Sequence, residues 1–379
     1  MYHLIVIGSG VMGAFHAFHA ARLGQRVLLL EKDNYPVGAT VRNFGQVVPS
    51  GLAGRWFEYG RRSLEWYKEL QAKTDLTVRQ EGSVYVASDA DEWQLANELH
   101  DKYQREGYAC ELLSAAQTLE KYDFLQKNYP VGALYFPEEV SVDSPVFMRR
   151  FLGYCVEQMG VVYRSNSTVL ACEPALNEVT VVLANNEKVK AERVIICSGS
   201  EFRLLYPDLF AQTNLVVSKL QMLQTVQMPQ IKIRGNILTG LTIRRYEAFA
   251  DCPSYAALQT PEHYAELKKW GVHILFKQAL DGSIITGDSH EYADVNHVDD
   301  LGFHLNGYIS SLILNEAQRI VTLPITKIAT EWAGFYAQTT DEIFEFDVSD
   351  RIRIITGIGG KGMTSSAGYA EASVGRFGW

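Results

Sequence analysis

The sequence predicts an α/β fold assembled from separated chain segments, with a β-rich α+β domain inserted into it. Three observations predict it. The first 31 residues read as strand, glycine turn, helix and strand, without a spacer. Residues 194–199 and 350–375 repeat the apolar strand closed by a glycine turn, the second time followed by a helix. Between about Leu215 and Leu323 the pattern changes to polar alternation rich in strands and aromatics.

The opening unit can be justified residue by residue. Leu4–Ile7 is an apolar run of the kind a buried strand needs. Gly8-Ser9-Gly10-Val11-Met12-Gly13 follows at once. Val11 to Gly24 reads as a helix with small Ala14, Ala17 and Ala21 toward a sheet, and Arg26–Leu30 is a second strand ending in Glu31. Gly8 permits the tight turn, Gly10 lets a pyrophosphate approach the backbone, and Gly13 lets helix and strand pack closely. The helix N-terminus presents unpaired N–H groups to phosphate. Glu31 can accept hydrogen bonds from both ribose hydroxyls, and its charge repels a 2′-phosphate, which argues against NADP. A glycine-rich turn with no ligand is the bland alternative, and it leaves the second strand and its terminal acid unexplained. The motif alone does not separate NAD from FAD.

Length and composition set bounds. A chain of 379 residues supports two domains and a large core. A net charge of −9 argues against nucleic acid as a general partner. No apolar run approaches the roughly 20 residues that span a bilayer. Strand one starts at once, which leaves no room for a cleavable leader, so a cytoplasmic location is expected. Cys110, Cys155, Cys172, Cys197 and Cys252 show no metal spacing and are expected to be buried, reduced thiols.

Further along, Gly38–Gly45 is a loop of small residues with one Arg and one Asn. Helices are expected over Gly51–Lys73, Asp89–Glu106, Ser114–Tyr122 with a serine cap, Ser144–Gly160, Tyr308–Val321 and Met363–Gly375. Strands are expected at Gly82–Ser88, Val131–Phe136, Val161–Arg164, Ser167–Glu173, Glu178–Leu183, Glu187–Ala191 and Val194–Cys197. Lys219–Gln227, His273–Gln278, Ser283–Thr286, Ile328–Gly334 and Asp350–Thr356 complete the set.

Four separated pieces suggest one site: the opening unit, the Thr40–Gly45 loop, the Val194–Gly199 strand end, and the Gly357–Gly362 loop with its helix. In this combination the sequence resembles the FAD-dependent oxidoreductases of the D-amino-acid oxidase, glycine oxidase and sarcosine oxidase family, over nearly its full length. The resemblance implies a Rossmann-like FAD-binding domain of the glutathione reductase type from residues 1–80, 140–214 and 324–379. It implies a substrate domain from 81–139 and 215–323. Gly8, Gly10, Gly13, Glu31 and Lys32 would hold the ADP half of a non-covalent FAD. Thr40, Arg42, Asn43, Phe44 and Gly45 would lie along the pyrophosphate and flavin. Val169 would meet the adenine, and Ser198 and Gly199 would close the crevice. Gly359, Gly360, Lys361, Gly362, Met363 and Thr364 would cover the pyrimidine edge of the flavin. A helix N-terminus and a lysine there would stabilise negative charge on the reduced ring; the bland reading of Lys361 is a solvated side chain.

Two stretches, Val41–Gly45 and His273–Phe276 with Gly287–Tyr292, look like a subgroup associated with catabolism of aminophosphonates. The pattern also departs from the wider family. Glycine oxidase-like members carry Trp-Ala-Gly-x-Arg-Pro, whose arginine pairs with the substrate carboxylate. Here the stretch is Trp332-Ala333-Gly334-Phe335-Tyr336-Ala337, with Tyr336 in the arginine's place. A tyrosine cannot make the bidentate charged pair. Arg42, Arg244, Arg245 or Lys361 would then bind an anionic group, although at least one of Arg244 and Arg245 is expected on the solvated face of a strand. Sarcosine oxidase-like members place a lysine near the flavin, on a strand matching Ser283–Thr286, and none stands there.

The expected reaction is oxidation of a C–N bond in a small amine or amino acid-like compound, with Lys361, Arg42, Tyr336 and His290 as the reacting-end residues. The amine must be neutral to release a hydride, so the rate should rise with pH around its pKa. No metal is expected: His16 and His19 read as helix-face histidines, and His290 and His297 as loop residues. Two other readings are a nicotinamide-dependent dehydrogenase and a flavin domain acting in RNA modification. The first leaves the Thr40–Gly45 and Gly357–Gly362 pieces without a role, and the acidic charge weighs against the second. Neither a nucleic acid nor a membrane is an expected partner.

Overall fold

The computed structural model describes residues 1–377; the last two residues of the 324–379 segment lie outside them. The opening unit forms as predicted: β1 (Tyr2–Ile7), α1 (Val11–Arg22) and β2 (Val27–Leu30). β1 is the centre of the first sheet, parallel to β2 on one side and to Lys188–Ile196 on the other. Val162–Arg164 and Ile352–Thr356 extend the parallel core outward, and Phe344–Ser349 adds an antiparallel edge.

Both faces of β1 are covered, which is why the run is apolar throughout rather than alternating. Leu4 and Val6 point into a core shared with Phe15, Phe18, Tyr67 and Phe151. Ile5 and Ile7 point into the opposite core, with Val179, Val181 and Phe210. The first face is layered by α1, the helix Gly54–Lys73 and the C-terminal helix Gly362–Gly375. A β-meander of Val169–Pro174 and Val179–Leu183 lies against the second.

The second sheet is nine-stranded among the described residues. It joins two distant parts of the chain: Asn236–Leu238 runs parallel to Ser83–Ala87. One face is covered by Gly307–Ile320, the other by Ala90–Glu106.

Several expectations need correction. Glu187–Ala191 and Val194–Cys197 are one continuous strand, Lys188–Ile196, which pairs antiparallel at its start and parallel at its end. Ile328–Gln338 pairs along most of its length with Val216–Thr225, so this part of 324–379 belongs to the second sheet. Residues 240–269 hold short helical turns, not strands; Arg244 and Arg245 follow the turn Gly240–Ile243. The helix expected from Gly51 begins at Gly54, after a tight turn at Pro49–Gly51. Ser114 caps its helix reciprocally with Gln117, as the sequence suggests.

Candidate active site

A cavity of about 690 Å³ runs between the two sheets. At one end lie the C-terminal ends of β1 and β2, where open parallel sheets bind ligands. The turn from β1 into α1 depends on glycine. Gly8 has φ +96°, and a Cβ there would meet the Cys197 carbonyl oxygen at 2.3 Å. Gly13 lies on the inner side of the turn, where a Cβ would fall 1.9 Å from the Gly8 carbonyl oxygen.

Two helices open into the cavity by their N-termini. α1 starts after Gly10 and the C-terminal helix after Lys361, and neither start residue caps its helix with a side chain. Instead Thr40 Oγ1 accepts from Val11 N–H at 3.0 Å. Glu31 accepts from Ser9 N–H at 3.0 Å, from Ser9 O–H at 2.8 Å and from Asp33 N–H at 3.1 Å, which fixes its carboxylate at the cavity wall. Lys32 is paired outward with Asp33 at 2.7 Å.

The structure brings Gly8, Gly10, Glu31, Lys32, Thr40, Asn43, Phe44, Gly45, Val169, Ser198 and Gly199 to one wall system with Gly359 through Thr364. Gly13 supports the turn without lining the cavity. Arg42 does not line it either, contrary to expectation: its guanidinium donates to the carbonyls of Val37 at 2.7 Å and Ala333 at 3.0 Å. It ties the Thr40–Gly45 loop to the strand Ile328–Gln338. Trp332 reinforces this tie by donating from Nε1 to the Arg42 carbonyl at 3.1 Å. Asn43 closes the same loop, accepting from Gly45 N–H at 2.6 Å.

The opposite end is built by the second sheet. Tyr336, His290, His273, Asp288, Tyr246 and Arg245 line it. Tyr336 is buried, and burial, followed by the Asp288 charge, pushes its phenol well above the ordinary range, so it keeps its proton. His290 is pushed down to about 3 by burial against the pull of Asp288 and is neutral. Its Nδ1 lies 3.0 Å from the Gly271 carbonyl, which only a protonated nitrogen can satisfy. Burial works to raise the Asp288 carboxyl, but the contact with His273 and the Arg245 charge outweigh it and hold the group below the ordinary carboxylate range.

Sequence reasoning singles out His290 but misses its neighbours. His273, Asp288 and His290 each bring a ligand atom within 4.8 Å of the others, while His297 sits apart on Asp294 at 2.8 Å. A partial signal exists in the sequence: counting the hairpin outward along its register sets His273 opposite Ser289, one residue from Asp288, and in the structure His273 N–H donates to the Asp288 carbonyl at 3.1 Å. A second omission is Lys277. It pairs in register with Ile285, on the strand that lacks the lysine of sarcosine oxidase-like members. Its buried ammonium donates to the carbonyls of Phe44, at 2.6 Å, and Val142. Burial, then the Arg79 charge, pushes it down to about 7.

The four candidate anion-binding residues separate clearly. Arg244 is neutralised by Asp89 and, at 2.6 Å, by Glu92. Arg42 is committed to carbonyls. Lys361 pairs with Glu247 at 2.9 Å and lies 5.5 Å over the Trp56 ring. Arg245 meets no carboxylate among the described residues and donates to the Tyr292 hydroxyl at 3.1 Å.

The wall fits an extended dinucleotide. A Cβ added at Gly38, Gly199 or Gly360 would meet nothing within 4 Å, so these backbones face open space in the cavity. Both helix starts face the cavity with N–H donors where phosphates and a flavin edge need them, the Val11 N–H of α1 being held by Thr40.

Residues 3–375 match the family model for FAD dependent oxidoreductases. An opine oxidase component from Rhizobium meliloti is 24% identical over 362 residues, covering 92% of this chain and 85% of the relative. Among solved structures, L-proline dehydrogenase from P. horikoshii superposes with a TM-score of 0.81 at 18% identity, covering 99% of this chain and 92% of the other. Glycine oxidase from Geobacillus kaustophilus superposes with a TM-score of 0.77 at 17% identity, covering 99% and 95%. The chain belongs to the FAD dependent oxidoreductase family, and its cofactor is FAD.

Proposed function

We propose that this FAD-dependent oxidoreductase oxidises the C–N bond of a small zwitterionic amino compound, with aminophosphonates and N-alkyl amino compounds as its substrate class. The observation that carries this reading is the pairing of charges at the second-sheet end. Arg245 has no carboxylate partner among the described residues, and the ionised Asp288 lies on the same wall. One cation and one anion on a wall shared with the aromatic and imidazole rings of Tyr246, Tyr336, His273 and His290 and with Leu220 and Leu275 suit a molecule with an anionic group and an amine. The related opine oxidase, glycine oxidase and proline dehydrogenase are named for amino compounds, which supports the same class.

FAD supplies the two-electron acceptor. The chain does the rest. Arg245 orients the substrate by its anionic group. Tyr336, always protonated, offers one hydrogen bond where a second arginine would over-neutralise Asp288. The apolar wall excludes water, which keeps the reacting carbon and nitrogen in one orientation. The imine product hydrolyses once water reaches it. The family match sets aside the nicotinamide reading. The net charge of −9 speaks for a small-molecule partner rather than a nucleic acid or a membrane, and five buried free thiols suit the cytoplasm.

The test is anaerobic bleaching of the yellow holoenzyme by 2-aminoethylphosphonate, its N-methyl form, glycine, sarcosine and an uncharged amine of similar length. Bleaching by the anionic amines and not by the neutral one is expected. Equal bleaching by the neutral amine, or none by any amine, would overturn the reading.

A further inference from the structure

We propose that His273, oriented by Asp288, is the base that takes the proton from the substrate's ammonium group. The inference rests on the amine-oxidising reading and adds a catalytic residue to it.

The geometry carries the proposal. His273 Nδ1 lies 2.9 Å from Asp288 Oδ1, with side-chain exposures of 6% and 8%. Neither atom makes a hydrogen bond of sound geometry to any described residue, so each is a buried, unsatisfied polar atom with the other within reach. The backbone ties the pair together through the bond from His273 N–H to the Asp288 carbonyl. Tyr246 meets the imidazole edge-on, with centroids 6.0 Å apart, and His290 stacks on it at 5.4 Å. The ring therefore has one orientation. An ionised carboxylate beside Nδ1 selects the tautomer with the proton on Nδ1 and leaves the lone pair on Nε2. That Nε2 has no partner among the described residues, and His273 lines the cavity.

The chemistry needs such a group. An alkylammonium titrates near the lysine value, about 10.4, so about one molecule in 2,500 is neutral at pH 7. Without a lone pair on nitrogen the neighbouring C–H hydrogen cannot leave with its electrons. In the proposed step the N–H bond breaks, its electron pair stays on nitrogen, and the proton ends on His273 Nε2, where Asp288 balances the new charge. The lone pair then forms the C=N bond as the C–H hydrogen departs with its electron pair to FAD. Carbon is oxidised to the imine level and the cofactor is reduced by two electrons. The imidazolium returns its proton to water after the product leaves. Asp288 and His290 from its hairpin, Arg245 and Tyr246 from the preceding loop, and Tyr336 from the neighbouring strand are the charged and titratable groups that face this pair. His290 differs from His273 in that its Nδ1 is held by the Gly271 carbonyl and its nearest carboxylate contact, to Asp288, is 3.8 Å, so a proton gained there is less well balanced.

The donor set of His273, Asp288 and His290 also resembles a metal site, so the test includes that outcome. Holoenzyme variants His273→Gln and Asp288→Asn are compared with the wild type in anaerobic stopped flow, from pH 6 to 10, using an amine that bleaches the wild type. Both variants should reduce FAD about 100-fold more slowly at pH 7. The deficit should close toward pH 10, where the amine loses its proton unaided. A hydroxyl analogue lacking the amine, followed by the shift in the flavin spectrum, should bind all three proteins within about 3-fold. An equal deficit at every pH, or no deficit, would overturn the proposal, as would loss of wild-type activity with a chelator and recovery with a divalent ion. If no amine bleaches the wild type, the amine reading itself fails, and this step falls with it.

Discussion

Lys361 and Glu247 meet at 2.9 Å across the cavity, joining the turn before the C-terminal helix to the layer of the second sheet. Lys361 is 16% exposed and Glu247 48%. A half-exposed pair contributes only about 0–1 kcal/mol to stability. Its effect should therefore be electrostatic. Glu247→Gln should leave the unfolding free energy within about 1 kcal/mol of wild type and raise the flavin potential, because the lysine charge is no longer balanced. Lys361→Met should lower the potential. Shifts on the order of 30 mV, about 1.4 kcal/mol for two electrons, are expected. A dye-coupled anaerobic titration reads them, and unchanged potentials in both variants would confine the pair to a closing role.

Arg245→Met removes the cation that lacks a carboxylate partner. A hydrogen bond to a charged group is worth about 1.5–3 kcal/mol. The KM for an anionic amine should rise about 10- to 100-fold, while that for an uncharged amine stays put. Steady-state kinetics with both substrates distinguishes a lost anchor from a damaged fold.

Glu139 is buried and accepts from Ser50 N–H at 2.8 Å and Tyr108 O–H at 3.0 Å, while its Oε2 has no partner. Burial outweighs these bonds and pushes it up to about 7. A carboxyl raised in the folded state contributes stability below about pH 4.5 and loses it as pH rises through about 7. Stability should therefore fall across that window by about 3 kcal/mol from this group alone. Glu139→Gln should flatten this part of a pH series of urea melts.

Lys277 has the opposite sign. Its folded-state pKa is depressed to about 7, so its contribution is full above the ordinary lysine value near 10.5 and is lost as pH falls through 7. Between pH 7 and 10 the wild type should gain stability that Lys277→Met lacks. The variant also leaves the Phe44 and Val142 carbonyls without their donor, at about 1–3 kcal/mol each. Flavin release in urea should come earlier, since Phe44 and Gly45 line the cavity. Identical pH profiles would contradict the burial of the ammonium.

Gly13→Ala tests the opening turn. A Cβ 1.9 Å from the Gly8 carbonyl oxygen forces backbone apart from backbone, with no flexible side chain to yield. A cost of at least about 3 kcal/mol and a purified protein largely free of flavin are expected. Full flavin content would show that the helix can shift without losing its hold on the cofactor.

The parts legible in advance share a property. Gly8, Gly10, Gly13 and Glu31 lie within one strand–helix–strand unit, whose geometry is set by neighbours close in sequence. The capping of Ser114 by Gln117 is local in the same way. What escapes a linear reading is non-local. The antiparallel and parallel halves of Lys188–Ile196 look like two strands because Lys188–Glu192 alternates charged and apolar residues whereas Val194–Ile196 is continuously apolar, and only their partners show one continuous strand. Ile328–Gln338 follows the first domain's segments in sequence position, whereas its pairing with Val216–Thr225 places it in the other sheet.

The sequence by itself determined the nucleotide end, because a tight turn, a close helix contact and a terminal acid are demanded by steric rules that act over a few residues. Only the tertiary structure decided which cation is left without a carboxylate partner among the described residues, since Arg42, Arg244 and Lys361 are committed to partners that Arg245 lacks. It likewise decided that His273 meets Asp288. A side chain's proton and charge belong to the groups folded against it, and those lie far along the chain.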